Sequence, residues 1–504
     1  MINIKNPGII AIFLNDNQKS EILKNNFDHS LTESFLNRLN QIYPNIPIYS
    51  NYNINSNTIF IDSNNERDFL LIVSQYLPKS TSEDEDFDEI YLAYFNGINP
   101  LLSIKCSRDL TERHKKYISQ YSYSENLPVG IVPTLISREF ISTLPDNLNI
   151  KVHDFLIKNI NNYDTEIYYE SPDLRNLRLD FSLNNQRSIE ISQQLLRANL
   201  SIEYSDIISV LEKNPVIFRG GPSYLEIELY RGCELNCTFC PRESISKEND
   251  GTFIDSSLFQ KLIKETEEIS NTFTICLGGM GEPLLHSNLE EILDIGLNSK
   301  AVKEIIIETT LNPNTDKLFL YLKTLEQTQK NKIIFIINFT TLKEDSYKQL
   351  YKNSTKTVED ILEKIEFLKN TLGKNSVYVQ MLKIKEIETE IENYFNFFES
   401  KDTQVLLQKY NSYATRLKEK RVSDLTPINR EFCWHLSRDI YIQSNGNVSA
   451  CKQSEEIIIG NIREKNINEI WNKNLDRFNL SFNHKFEQID LPCLKCDEWY
   501  TFNG

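Results

Sequence analysis

Seven of the nine cysteines in this chain fall into two groups whose spacing suits metal chemistry. Cys233, Cys237 and Cys240 stand in ELYRGCELNCTFCPRE as C-x3-C-x2-C, directly after the strand-like run YLEIELY. Cys433 and Cys451 stand in EFCWHLSRDIYIQSNGNVSACKQ, and Cys493 and Cys496 in PCLKC. Nothing marks the chain for secretion, so the thiols are expected to stay reduced and their clustering to mean metal or catalysis. Three close thiolates on a loop suit an iron–sulfur cubane. They hold three irons and leave the fourth open to a cofactor or substrate, as an open zinc position is. Three zinc ligands with a distant fourth are the alternative. The four later cysteines suffice for one fully ligated [4Fe–4S] cluster or for a four-cysteine zinc site. Cys106 and Cys276 read as buried small hydrophobes.

The elements that must position these thiols are legible as periodicity. Residues 1–217 alternate strand-like and helix-like patterns: GIIAIFL, then LTESFLNRLNQIY and ERDFLLIVSQYL as helices, then DEIYLAYF. That alternation favours an α/β layer fold. The acidic run at 83–88 reads as a solvated loop. RGGPSYLEIELYRGC, residues 219–233, begins with turn residues and continues as a strand, which places a boundary there. From that point FTICLGGMG, KEIIIETT, KIIFIINFT and SVYVQML are strands separated by helical patterns, a parallel α/β barrel or part of one. After Asp424 the pattern shortens into turns and cysteines, a small metal-organised module. There SNGNV is a hairpin turn between strands 440–443 and 447–451. Three domains are expected, at 1–217, 218–425 and 426–504.

Composition excludes several classes. The 504 residues carry 71 acidic and 55 basic side chains, a net charge of −16, so a generally basic nucleic-acid-binding surface is not expected. No apolar stretch approaches the ~18 residues of a membrane span. The N-terminal MINIKNPGIIAIFLND reads as a buried first strand rather than a signal peptide. A cytoplasmic protein with no membrane or nucleic-acid partner is expected.

The C-x3-C-x2-C spacing resembles the signature of the radical S-adenosylmethionine (SAM) superfamily. The resemblance implies an open iron that chelates the amino and carboxylate groups of SAM. One electron from the cluster then cleaves the C–S bond to methionine and a 5′-deoxyadenosyl radical. Phe239 stands where the family has an aromatic residue beside the adenine. LGGMGEPLLH resembles the family's Gly-Gly-Glu motif. It implies that Gly279 and Gly281 permit close backbone approach and that Glu282 accepts from the SAM ammonium, a contact of ~1.5–3 kcal/mol. IINFTTLKEDSYKQLY resembles the fourth strand and following helix, which implies Asn338 or Thr340 at the ribose. VYVQMLKIKEIETE resembles the fifth, with Gln380 and Met381 near the adenine. No catalytic residue is assigned.

C-x12-G-x4-C followed by C-x2-C resembles the SPASM-type module found after radical SAM barrels, which holds auxiliary iron–sulfur clusters. The linking segment LKEKRVSDLTPINREFCWHLSRD is similar to the spirochaete-restricted spiro-SPASM family. Arg416, Lys418, Lys420, Arg421 and Arg430 in or near it suit a substrate carboxylate or phosphate, or a solvated loop. The resemblance implies SAM as cofactor, a reductant such as flavodoxin or ferredoxin, and a peptide or protein substrate. A small metabolite or sugar nucleotide is the competing substrate. A metal-stabilised binding protein whose barrel no longer cleaves SAM is the competing class. The joint presence of Cys233, Cys237, Cys240, Phe239 and Glu282 favours activity.

Residues 1–217 resemble cytidylyltransferases that activate acidic sugars, a Rossmann-like nucleotidyltransferase fold. YFNGINPLLS, residues 94–103, resembles that family's strand end, ENLPVGIVPTLIS its substrate loop, and LRLDFSLNNQRSIEISQQLL its closing strand and helix, with Asp180 at an acidic position. Two departures matter. Ile98 stands where the metal-binding aspartate belongs, and the first loop, LNDNQKSEILKNNF, lacks a Gly- and Arg-rich phosphate cradle. Metal-dependent nucleotidyl transfer needs that carboxylate and those donors, so a degenerate domain is expected.

Overall fold

The run Ile9–Phe13 is apolar and buried at every position, the pattern of a strand covered on both faces. In the computed structural model, which describes residues 6–24, 27–78, 90–245, 251–424 and 426–500, it is strand β1 of the first of two units, Met1–Phe218 and Arg219–Gly504. The acidic run at 83–88 lies outside the described residues.

The first unit adds β2 (Ile48–Ser50), β3 (Thr58–Phe60), β4 (Tyr91–Asn96), β5 (Tyr121–Ser124), β6 (Thr134–Ser137) and β7 (Thr165–Tyr168) in the order β3-β2-β1-β4-β6-β5-β7. Among the described residues only β6 runs antiparallel to its neighbours. The helix Ser30–Ile42 turns Leu31, Phe35, Leu39 and Ile42 inward at helical spacing. Strand order reverses between β1 and β4, the place where doubly wound sheets bind ligands. Here that crevice holds protein. The segment after β1 is not a loop but a helix, Asp16–Ile22, capped by Asn15. Its Gln18, 1% exposed, donates to Ser182 O at 2.9 Å and Asn96 O at 3.3 Å. A Cβ on Gly97 would lie 2.2 Å from the same amide. Ile98 is buried, and the Asp180 carboxylate accepts from Ser182 N and Oγ.

The second unit is built on one nine-stranded sheet. Its members are β8 (Tyr224–Ile227), β10 (Phe273–Leu277), β11 (Val302–Thr309), β12 (Ile333–Asn338), β14 (Val377–Lys383), β15 (Gln404–Lys409), β16 (Asp439–Ile442), β17 (Asn447–Cys451) and β18 (Ser454–Asn461). The order is β15-β14-β12-β11-β10-β8-β16-β17-β18, parallel from β15 to β16, with β15 and β18 as open edges. Two short strands, β9 (Asn236–Cys237) and β13 (Tyr351–Lys352), pair separately. The parallel strands expected at the four βα units all form. Alternation along them sorts side chains between two faces. Ile305, Ile307, Phe335, Ile337, Val377, Val379 and Met381 are buried on one face. Glu308, Ile336, Asn338, Tyr378 and Gln380 are only partly buried on the other. Met381 therefore points away from the face that carries Gln380, so the two cannot both meet the adenine on one face.

The sequence reading separates 218–425 from 426–504. In the structure β16 docks parallel on β8, with Ile440 opposite Leu225 and Ile442 opposite Ile227. The C-terminal hairpin thus shares the sheet, because its apolar residues need the same cover. Among the described residues no helix is long and apolar enough to cross a membrane.

The filled crevice of the first unit generates a prediction. Incubation with CTP, Mg²⁺ and a panel of acidic sugars should release no pyrophosphate; steady metal-dependent release would show that Ile98 and Gln18 do not block nucleotide chemistry.

Candidate functional site

β8 continues through Glu228 to the cysteine loop. Glu228 is fully buried and accepts from Met280 N at 3.1 Å, Tyr441 Oη at 3.1 Å and Ser444 Oγ at 2.9 Å. It joins the end of β8 to the glycine motif and to the β16 hairpin. Arg231 reaches Glu455 with bonds of 2.7 and 2.9 Å, a paired arrangement that buried charges require. The glycine motif then lies against the backbone leading into Cys233. A Cβ on Gly281 would stand 1.8 Å from Tyr230 O, so no other residue fits there. One residue on, Glu282 N donates to Gly232 O at 2.9 Å. Gly279 has φ +93, a conformation that favours glycine.

The far side of the loop is held by β13. Cys237 pairs opposite Tyr351, and Thr238 N donates to Leu350 O at 3.0 Å. The Phe239 ring meets Tyr351 edge-on at 5.4 Å, a favoured aromatic geometry. Tyr351 Oη accepts from Thr340 N at 2.9 Å and lies 2.8 Å from Thr340 Oγ1 and 3.1 Å from Asn338 O. Tyr351 thereby ties the cysteine loop to the end of β12. Sequence reasoning missed it; the Tyr347/Tyr351 pair, stacked at 4.8 Å, is the i, i+4 signal that marked it. Of the two ribose candidates, Thr340 is buried and engaged with Tyr351. Asn338 stands on the partly open face, its Oδ1 accepting from Gln380 Nε2 at 2.6 Å.

Glu282 differs from the sequence expectation. Its carboxylate accepts from Thr309 Oγ1 at 2.6 Å, Thr310 N at 3.0 Å, Thr310 Oγ1 at 2.9 Å and Leu284 N at 3.2 Å. A carboxylate has about four acceptor positions, so protein donors already occupy them. Burial raises the Glu282 carboxyl above its ordinary range, against the pull of those bonds.

The second cysteine set also converges. Cys433 precedes the helix Trp434–Arg438, with its N–H on Ser481 Oγ at 2.8 Å. Trp434 N donates to Trp499 O at 2.8 Å, and Cys496 N to Cys493 O at 3.1 Å. Lys409 at the end of β15 holds Glu498 at 2.9 Å. Cys433, Cys451, Cys493 and Cys496 line one pocket. Among the described residues no three Cys, His, Asp or Glu side chains gather as a single bare ion would need. Most of the basic segment is partnered within the protein. Arg416 faces Glu456, Lys420 faces Glu386, and Arg421 faces Glu419 and Asp497.

Residues 227–398 match the radical SAM superfamily, and residues 433–497 match SPASM, an iron–sulfur cluster-binding domain. The chain carries a radical SAM domain followed by a SPASM domain. Its cofactors are accordingly a [4Fe–4S] cluster with SAM in the first and iron–sulfur in the second. An uncharacterized protein of Treponema pallidum (strain Nichols) is 25% identical over 356 residues, covering 68% of this chain and 96% of the relative. A 7-carboxy-7-deazaguanine synthase of Methanocaldococcus jannaschii is 30% identical over 145 residues, 26% of this chain and 56% of that protein. The crystal structure of Streptococcus suis SuiB bound to precursor peptide SuiA overlaps 71% of this chain and 84% of its own, at 14% identity and a TM-score of 0.44.

In this radical SAM domain burial pushes the Cys233 thiol up to about 12 and Cys237 well above the ordinary thiol range. In the SPASM domain it pushes Cys496 up to about 12 and Cys433 well above the ordinary thiol range. Without metal these thiols are protonated, and loading must release protons because thiolates are the ligands.

Glu282→Ala strips acceptors from Thr309 and Thr310. It should destabilise the protein by about 1–3 kcal/mol, the cost of unsatisfied buried donors, read from urea unfolding. Unchanged stability with a 10–100-fold loss of SAM affinity, ~1.5–3 kcal/mol, would instead restore the direct SAM contact.

Proposed function

We propose that this radical SAM enzyme modifies a peptide or protein side chain. Cys233, Cys237 and Cys240 hold the cluster, which when bound supplies reductive cleavage of SAM and a 5′-deoxyadenosyl radical able to abstract hydrogen from an unactivated C–H bond. One observation carries the assignment of these three thiols. Their loop is clamped between the glycine motif, at Gly281, and Tyr351, at the C-terminal ends of β8, β10 and β12. In parallel α/β barrels that end of the strands is where chemistry is done. The protein residues supply shape and fixed position. Glycine at 279 and 281 keeps the backbone close to the loop, and Asn338 and Gln380 offer polar groups on the partly open inner face.

The SPASM-type module supports a peptide substrate, because many enzymes with it modify ribosomally made peptides. So does the open sheet: β15 is an edge strand, and an extended chain can add to such an edge. The four cysteines of the second pocket suit one fully ligated cluster for electron transfer. A low-potential donor such as flavodoxin or ferredoxin supplies the electron, in the cytoplasm where thiols stay reduced. A small-molecule substrate is the second reading, favoured by the name of the deazaguanine synthase relative.

Anaerobic, dithionite-reduced protein should convert SAM to methionine and 5′-deoxyadenosine, and Cys240→Ala should not. Lysate fractions of the source cell should raise 5′-deoxyadenosine above the uncoupled background, and protease treatment of the fraction should abolish the rise. Stimulation confined to the protease-resistant, low-mass fraction would establish the small-molecule reading. Absence of 5′-deoxyadenosine from a fully reconstituted sample would remove both.

A further inference from the structure

Among the described residues three side-chain atoms on the wall of the SPASM pocket are buried without a hydrogen-bond partner, Arg430 Nε, Gln453 Oε1 and Glu498 Oε1, and of these Glu498 alone has an ion pair, with Lys409 at 2.9 Å. Arg430 and Gln453 both line the pocket formed by Cys433, Cys451, Cys493 and Cys496. The Nε of Arg430 is buried without a hydrogen-bond partner, although its guanidinium lies over the Phe486 ring at 4.0 Å. Gln453 is 6% exposed, and its Oε1 is likewise buried and unpartnered. Buried polar groups are nearly always satisfied, so two orphans on one pocket wall ask for a partner inside it. Other charges nearby are already paired: Glu498 with Lys409 at 2.9 Å, Asp439 with His435 and Arg438, and Arg477 with Asp490. Arg416, Lys420 and Arg421, on the preceding segment, likewise face carboxylates. Arg430 has no such contact among the ion pairs of the described residues. Arg430 lines the same pocket as the Cys493 thiol.

Sulfur atoms of an iron–sulfur cluster accept N–H hydrogen bonds, and such bonds, with local charge, raise the reduction potential. The guanidinium Nε–H is a donor only, and an amide turned about its last torsion presents Nε2–H where Oε1 stands. We propose that Arg430 and Gln453 donate to the sulfurs of a cluster in this pocket and hold its potential up, making them positioning and tuning residues of the auxiliary site. The inference rests on the reading that Cys433, Cys451, Cys493 and Cys496 ligate that cluster.

The test is an EPR-monitored redox titration of the full-length chain with Cys233, Cys237 and Cys240 replaced by alanine, which leaves one cluster. In that background Arg430→Met should keep about four irons and lower the reduction equilibrium constant about tenfold, ~59 mV for a one-electron couple. Gln453→Leu should shift it the same way by less, and Arg430→Lys, which keeps the charge, should recover part of the shift. If Arg430→Met fails to load iron, Gln453→Leu and Arg430→Lys still decide the matter through their midpoints. Unchanged midpoints with the cluster intact overturn the tuning role alone. No cluster signal in the parent background overturns the ligand assignment and the tuning role together.

Discussion

The contact on which the second unit depends is the approach of Gly281 to the carbonyl of Tyr230. With 1.8 Å between that oxygen and an added Cβ, the position admits glycine alone. The approach lets Glu282 N reach Gly232 O, one residue before Cys233. The Glu282 carboxylate then extends the same junction to Thr309 and Thr310 at the end of β11. Three strand ends are thus joined around the start of the cysteine loop by contacts within the protein. Pre-organisation of this kind matters for a site that must hold a reactive intermediate, since small misplacements of the reacting groups are costly.

The SPASM segment is anchored by the same means. Glu228, at the end of β8, bonds both to Met280 and to the β16 hairpin through Tyr441 and Ser444. Arg231, two residues before Cys233, pairs with Glu455 on β18. The segments that carry the two cysteine sets are therefore anchored on one continuous sheet, through β8 and through the β16–β18 strands. A change at either end of that sheet has a physical route to the other through the buried, hydrogen-bonded side chains of Glu228, Arg231 and Glu455. The first unit follows a different logic: the crevice its topology offers is closed by Gln18 and backed by Ile98.

How much was legible follows from the range of the interactions. Strands such as Ile333–Asn338 and Val377–Lys383 are visible because alternation is local. The cysteines are visible because their spacing is local too. Gly281 could be flagged from its motif, but its partner Tyr230 lies far back in the chain, and only the fold brings them together. Tyr351 was hidden for the same reason: it acts by pairing with Cys237 and bonding at Thr340. Glu282 was legible as a buried acceptor but not as one already satisfied, because Thr309 and Thr310 carry no motif. Gln380 and Met381 were read together although strand alternation separates neighbours. The helix Asp16–Ile22 reads as a loop because six of its seven residues are polar, and its Asn15 capping box is the signal that marks it.

The most direct measurement of the central claim is the EPR spectrum of the anaerobic, dithionite-reduced protein before and after SAM is added. The account requires SAM to alter the signal of one cluster and leave the other unchanged. That responsive signal should be missing from Cys237→Ala, with the SPASM-domain signal intact. A spectrum indifferent to SAM, or a SAM response that survives Cys237→Ala, would contradict the assignment of Cys233, Cys237 and Cys240 as the ligands of a cluster with an open iron.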